Sequence, residues 1–203
     1  MKRFLSLLLA LFMVFSLFGC STENIKTITI EENKGSGEYA GKTIILHTND
    51  IHGSISEETG GLEGYAAVAA TKKHFEDLGA TVILVDDGDF SQGSIYVSLN
   101  HGAAATDLME QAGYDIVALG NHEFDYGVDS LKSIFENKKF KVLCSNVFEG
   151  DKTLFDSEAI VKVGKLKIGF FGLLTPETQT KVNPNYVQGL TFTEGQDLFD
   201  VAQ

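Results

Sequence analysis

Short apolar runs alternate with longer mixed segments through most of the chain, and the early runs each stop at a polar cluster. Thr43-Ile44-Ile45-Leu46-His47-Thr48 is β-branched and apolar, which predicts a buried strand. It gives way to Asn49-Asp50-Ile51-His52-Gly53. Residues 62–78 are rich in alanine and put Leu62, Tyr65, Ala69 and Phe75 roughly on one helical face, with Gly79 as the stop. Residues 81–85 predict a second buried strand, running into Asp86-Asp87-Gly88-Asp89-Phe90-Ser91-Gln92-Gly93. A short helix or turn is expected near residues 94–100, then a helix over residues 103–111 closed by Gly113. Residues 115–119 predict a third strand, which ends in Gly120-Asn121-His122-Glu123-Phe124-Asp125-Tyr126-Gly127. A helix over residues 128–137, a fourth strand over 141–145 and a hairpin of 158–163 with 166–173 around Gly164-Lys165 follow. Earlier, residues 27–30 alternate as a short strand would. At the other end, Thr193-Glu194-Gly195 reads as a helix start, and no glycine, proline or basic turn closes that helix before residue 203.

Strand and helix alternate three times before paired strands appear. This predicts an α/β fold with right-handed crossovers. Parallel strands would bring the first three polar clusters to one edge of the sheet, where open α/β sheets bind ligands. No internal repeat is evident.

Composition narrows the partners. The 203 residues are 43% hydrophobic, enough for one domain with a real core. The formal net charge of −12 argues against a nucleic-acid polymer. An acidic domain can still take a small phosphorylated molecule if metal ions supply positive charge. At the N-terminus, Lys2 and Arg3 precede an apolar stretch over residues 5–18, too short to span a membrane comfortably. Its end, Leu17-Phe18-Gly19-Cys20, resembles a bacterial lipoprotein signal. The plainer alternative is a signal peptide that happens to contain a cysteine. Residues 1–19 are thus expected to be a signal segment, and residues 20–41 a lipidated Cys20 with a polar tether. The domain then runs over 42–203, outside the cytoplasm and anchored to the membrane. With Cys20 lipidated, Cys144 has no partner, and its strand-like surroundings predict a buried core thiol.

The three strand ends together offer Asp50, His52, Asp89, Asn121, His122 and Asp125. Carboxylate, imidazole and amide donors suit borderline divalent ions such as Mn, Zn, Fe or Co. A carboxylate such as Asp89 can bridge two ions, and two ions can clamp a phosphoryl group. His122 lies beside a candidate ligand, and Asp125 could fix its tautomer and charge. Such a pair can donate a proton to a leaving alkoxide. Other residues have plainer expected roles. His47 is expected as a hydrogen-bonded core residue, His74 on a solvated helix face and His101 in a surface turn. Glu123 is expected to support its turn, and Asn146 to satisfy backbone groups.

Asp-x-His, Gly-Asp and Gly-Asn-His-Glu in this order resemble the calcineurin-like metallophosphoesterase superfamily. Residues 45–53, 88–93 and 120–127 are most similar to the bacterial 5′-nucleotidase / 2′,3′-cyclic phosphodiesterase family, as is Gly169-Phe170-Phe171-Gly172-Leu173-Leu174-Thr175-Pro176-Glu177-Thr178. The resemblance implies a β-sandwich flanked by helices and two divalent ions. Asp50 and His52 would hold the first ion, Asp89 would bridge, and Asn121 would hold the second and lie near the phosphate. His122 and Asp125 would form the catalytic dyad, with Asn121 and His122 touching substrate. A metal-bound hydroxide would attack phosphorus in a nucleotide or another small phosphoester, whether monoester, diester or pyrophosphate. The family draws further histidine ligands and a nucleoside-binding domain from later sequence, whereas the last histidine here is His122. The resemblance therefore implies the first part of a catalytic domain, truncated at the C-terminus, with a partial second metal site. The alternative function is a weak or inactive surface lipoprotein that retains partial metal binding.

Overall fold

Three neighbouring strands of a four-stranded parallel sheet carry the polar clusters side by side. The computed structural model describes residues 25–55 and 64–202. The expected signal segment, Cys20 and Leu62 lie outside the described residues. In chain order the elements are β1 (Lys26–Ile30), β2 (Thr43–Thr48), α1 (Gly64–Asp77), β3 (Thr81–Asp86), α2 (Ile95–Ser98), α3 (Ala103–Ala112), β4 (Ile116–Ala118) and α4 (Val128–Ile134). They continue with β5 (Lys141–Leu143), β6 (Val147–Glu149), β7 (Lys152–Thr153), β8 (Glu158–Val163), β9 (Leu166–Phe171), α5 (Thr178–Lys181), β10 (Leu190–Phe192) and α6 (Gly195–Val201).

The parallel sheet has the order β2-β3-β4-β5. Its period of two divides the side chains between two cores. Leu84, Val117 and Val142 face one core with Tyr65 of α1, Met109 of α3 and Leu131 of α4. Ile83, Val85, Ile116 and Leu143 face the other, against Ala159, Val161 and Val163 of β8 and Ile28 and Ile30 of β1. β3 lies at the centre, which explains a run that is apolar on both faces and buried at all six positions. Ile83 and Leu84 are fully buried, each worth about 2 kcal/mol of apolar transfer. The second layer is the sheet β1-β8-β9, in which β1 runs parallel to β8 and β8 pairs with β9 as the expected hairpin. The fold is thus a mixed α/β sandwich with helices on one side.

Several local expectations are corrected. β2 is an edge strand, so Ile45 and His47 are exposed rather than buried. The His47 side chain is 65% accessible and lies 3.8 Å from the Asp87 carboxylate, so it is no core residue. The expected tether is part of the fold over its described length. β1 joins the second sheet, and Asn33 Nδ2 donates to the carbonyls of Glu76 and Ala80. α4 ends at Ile134, short of residue 137, and Asn137 turns the chain with a positive φ of 62°. A third sheet, β10-β6-β7, has no counterpart in the sequence reading, because its strands are only two or three residues long and too brief to show a period.

Asn146 stitches the segment after β5 to the segment after β9, as its expected backbone role requires. Its Nδ2 donates to Leu174 O at 2.7 Å, and its Oδ1 accepts from Leu174 N at 2.8 Å, with the residue fully buried. Asn146→Leu leaves both groups without partners and is expected to cost about 2 kcal/mol. A urea titration should show a lower midpoint at unchanged slope. An unmoved midpoint would show that water replaces the amide. Cys144 is buried, and burial pushes its thiol up to about 11, as suits a core residue.

Candidate active site

Strained backbone marks the ends of β2 and β3. Asp50, His52 and Asp89 all have positive φ, at 52°, 48° and 59°. Each such non-glycine residue costs about 1–3 kcal/mol, and such residues collect at functional sites. The two loops are tied together by Asp50 N donating to Gly88 O at 3.0 Å and His52 N to Asp89 O at 2.9 Å. Gly88 is required twice over. Its φ is +100°, and a Cβ there would lie 2.1 Å from the backbone nitrogen of Gly120. The ends of β3 and β4 can approach this closely only without side chains.

Glu123 holds this junction together. It is 1% exposed, on the 3-10 turn Asn121–Phe124 that follows β4. One carboxylate oxygen accepts from Asp89 N at 2.8 Å and Gly120 N at 2.7 Å. The other accepts from Phe90 N and Ser91 N, both at 3.0 Å. Burial raises its carboxyl above the ordinary range, while the donors on Asp89, Gly120 and Ser91 pull it down. Beyond the supporting part expected of it, Glu123 is a clamp across two strand-end loops. Glu123 reaches back to the N–H of Gly120 three residues earlier, the one half of a capping box that a glycine N-cap allows.

Two of the four expected ligands, His52 and Asp89, come together with His122, which was expected as a catalytic group. His52, Asp89 and His122 each offer a ligand atom, and these atoms lie within 4.8 Å of one another. The His52 and His122 rings sit edge to face at 5.1 Å. His52 Nδ1 lies 3.0 Å from Gln92 O. A carbonyl only accepts, so Nδ1 donates this bond and Nε2 is the ring nitrogen turned toward Asp50. A ring nitrogen bound to a backbone carbonyl is the usual support of a metal-binding histidine. Asp89 Oδ1 accepts from His122 N at 2.9 Å. Asp50 stands at the rim with its side chain 60% accessible, Oδ1 being 3.8 Å from His52 Nε2. Its Oδ2 accepts from Asn49 Nδ2 at 2.6 Å. Asn121 opens the turn at the end of β4, beside His122. The donor chemistry fits a borderline divalent ion.

His122 Nδ1 lies 2.6 Å from Asp125 Oδ2. Burial lowers the imidazole's pKa, but the hydrogen bond and charge of Asp125, with Asp89 and Glu123, raise it above its ordinary value. A raised imidazole keeps its proton to higher pH, which suits a proton donor. Of the remaining histidines, His74 is exposed on α1, and His101 is an exposed turn residue stacked on Tyr126.

Comparison with known proteins identifies the family. The model of the calcineurin-like phosphoesterase family matches residues 43–194. A 5′-nucleotidase of Diplobatis ommata is 36% identical over 156 residues, covering 69% of this chain and 27% of that protein. A 5′-nucleotidase of Vibrio cholerae serotype O1 is 30% identical over 190 residues, covering 91% of this chain and 33% of that protein. The solved 5′-nucleotidase precursor of Thermus thermophilus superposes with a TM-score of 0.66 at 28% identity, over 78% of this chain and 33% of that one. The chain thus spans between about a quarter and a third of the length of these relatives. With three quarters of its residues inside the family match and its strand-end donors gathered at one edge, this chain belongs to the calcineurin-like phosphoesterase family.

Proposed function

We infer that the site hydrolyses phosphoesters of the 5′-nucleotide class with divalent metal ions. The convergence of His52, Asp89 and His122, with His122 held by Asp125, carries this reading. The names of the relatives favour a nucleotide substrate. Asp50, His52, Asp89 and Asn121 would hold the ions, and Asn121 would also lie near the phosphate. Divalent ions of the Mn, Zn, Fe or Co class supply charge neutralisation at the phosphoryl group and activation of water. Glu123 keeps Asp89 in its strained conformation. His122, protonated and oriented by Asp125, gives its proton to the departing oxygen. The protein works outside the cytoplasm, held at the membrane surface by lipid on Cys20. The pattern at residues 2–20 supports that part, and mass spectrometry of the mature N-terminus tests it.

Metal removal tests the main reading. Hydrolysis of a nucleoside 5′-monophosphate is expected to vanish in excess EDTA and to return with Mn. At about a hundred times its Kd, a bound ion stabilises the fold by about 2.7 kcal/mol, so Mn should raise Tm. Asp89→Asn should lose most of that rise. Hydrolysis that persists without divalent ions would overturn the reading, and so would a saturated metal site that leaves monoesters, diesters and pyrophosphates all intact.

A further inference from the structure

The turn that carries Asp125 is gripped from outside by a residue that the reaction, as described above, does not use. His101 stacks on Tyr126, with ring centroids 4.6 Å apart and planes 12° from parallel. Tyr126 directly follows Asp125 in the chain. His101 itself has a positive φ of 54°, which an exposed turn residue seldom adopts unless its surroundings require it. The surroundings here are well determined. Asn100 Nδ2 donates to Tyr96 O at 3.0 Å, and Asn100 Oδ1 accepts from Ala104 N at 2.9 Å, so the turn is tied to both flanking helices. Gly102 presses on Ser91, where an added Cβ would lie 2.6 Å from the serine Cβ. Ser91 Oγ in turn donates to His122 O at 3.1 Å. Tyr186 lies 3.6 Å from where a Cβ on Gly127 would sit. The residue next to Asp125 is therefore stacked by an aromatic side chain from a separate part of the chain.

We propose that His101 is a positioning residue for the His122–Asp125 pair, acting through its stack on Tyr126. The stack fixes where the turn after Asp125 runs, and so where the Asp125 carboxylate meets His122 Nδ1. A displacement of about 1 Å at such a contact can cost up to about a hundredfold in rate. The ring surface is what acts here, and the imidazole nitrogens are not needed. The inference rests on the phosphoesterase reading of the same site.

The test compares three variants in Mn with two substrates, a nucleoside 5′-monophosphate and glycerol phosphate. His101→Asn keeps a residue that tolerates positive φ and removes the ring. His101→Phe keeps a stacking ring without nitrogens. Tyr126→Ala removes the other half of the stack. His101→Asn and Tyr126→Ala are expected to lower kcat about tenfold on both substrates with KM unchanged, and His101→Phe to restore most of it. Thermal melting, expected to shift little for His101→Asn, separates this from loss of fold. Unchanged kcat in His101→Asn overturns the inference. So does a rise in KM confined to the nucleotide, which would make the stack a contact for the base. An inactive wild-type protein with saturated metal would instead bring down the phosphoesterase reading, and the inference with it.

Discussion

Glu123→Ala is expected to lower the melting temperature by about 10 °C, the largest stability loss of any single change proposed for this chain. The carboxylate satisfies four backbone donors, those of Asp89, Phe90, Ser91 and Gly120. Alanine leaves all four in a place where Glu123 itself is 1% exposed. One unsatisfied buried donor costs about 1–3 kcal/mol, and partial entry of water keeps the sum below four times that. A loss of about 4 kcal/mol follows, comparable to breaking a buried charge interaction. Glu123→Gln should recover little. A glutamine has one acceptor oxygen, so two N–H groups would face its amide hydrogens instead. The effect should also reach the site, because Asp89 holds its positive φ only while its own N–H and its neighbours' are clamped. Mn should then raise the Tm of the variant less than that of the wild type. A Tm within 2 °C of wild type would show that water takes over the four donors and that the clamp is dispensable.

This part of the site was the least legible in the sequence. Alternation of β-branched runs with helical segments sufficed for the parallel sheet, and the polar clusters at three strand ends sufficed to bring His52, Asp89 and His122 together. Those signals are local, each confined to a few neighbouring residues. The clamp is not local: Glu123 contacts residues more than thirty positions away, and no periodicity encodes that. Exposure of His47 was missed for a related reason. Its run, Thr43-Ile44-Ile45-Leu46-His47-Thr48, is as apolar as that of a central strand, and only the strand order shows that β2 lies at an edge. Alternation over residues 27–30 matched β1, but its pairing with β8 and the backbone contacts of Asn33 link residues far apart in the chain, which composition does not reveal. The stack of His101 on Tyr126 joins residues from two turns and was equally silent.

His122→Ala is expected to lower kcat on nucleoside monophosphates by about 10²–10⁴, the range for loss of a positioned general acid. The argument depends on where the proton sits. Asp125 binds Nδ1 at 2.6 Å, which leaves the other ring nitrogen for a proton to be passed on. That nitrogen can protonate an oxygen leaving phosphorus. The loss should depend on the leaving group: large for a nucleoside alkoxide, which needs a proton, and small for p-nitrophenolate, which does not. Metal binding, followed as the rise of Tm in Mn, should fall far less than activity. A collapse of both together would make His122 chiefly a ligand and remove the acid role. The pH profile supplies the sign of the Asp125 effect. Burial lowers the His122 pKa but Asp125 raises it above its ordinary value, so the protonated form, the proton donor under the proposed reading, persists to higher pH in the wild type. Asp125→Asn removes that support, and the alkaline limb of kcat should move to lower pH, with a loss of rate that is greatest on that side. If the limb stays where it is while the rate falls evenly, then Asp125 orients the ring without setting its charge.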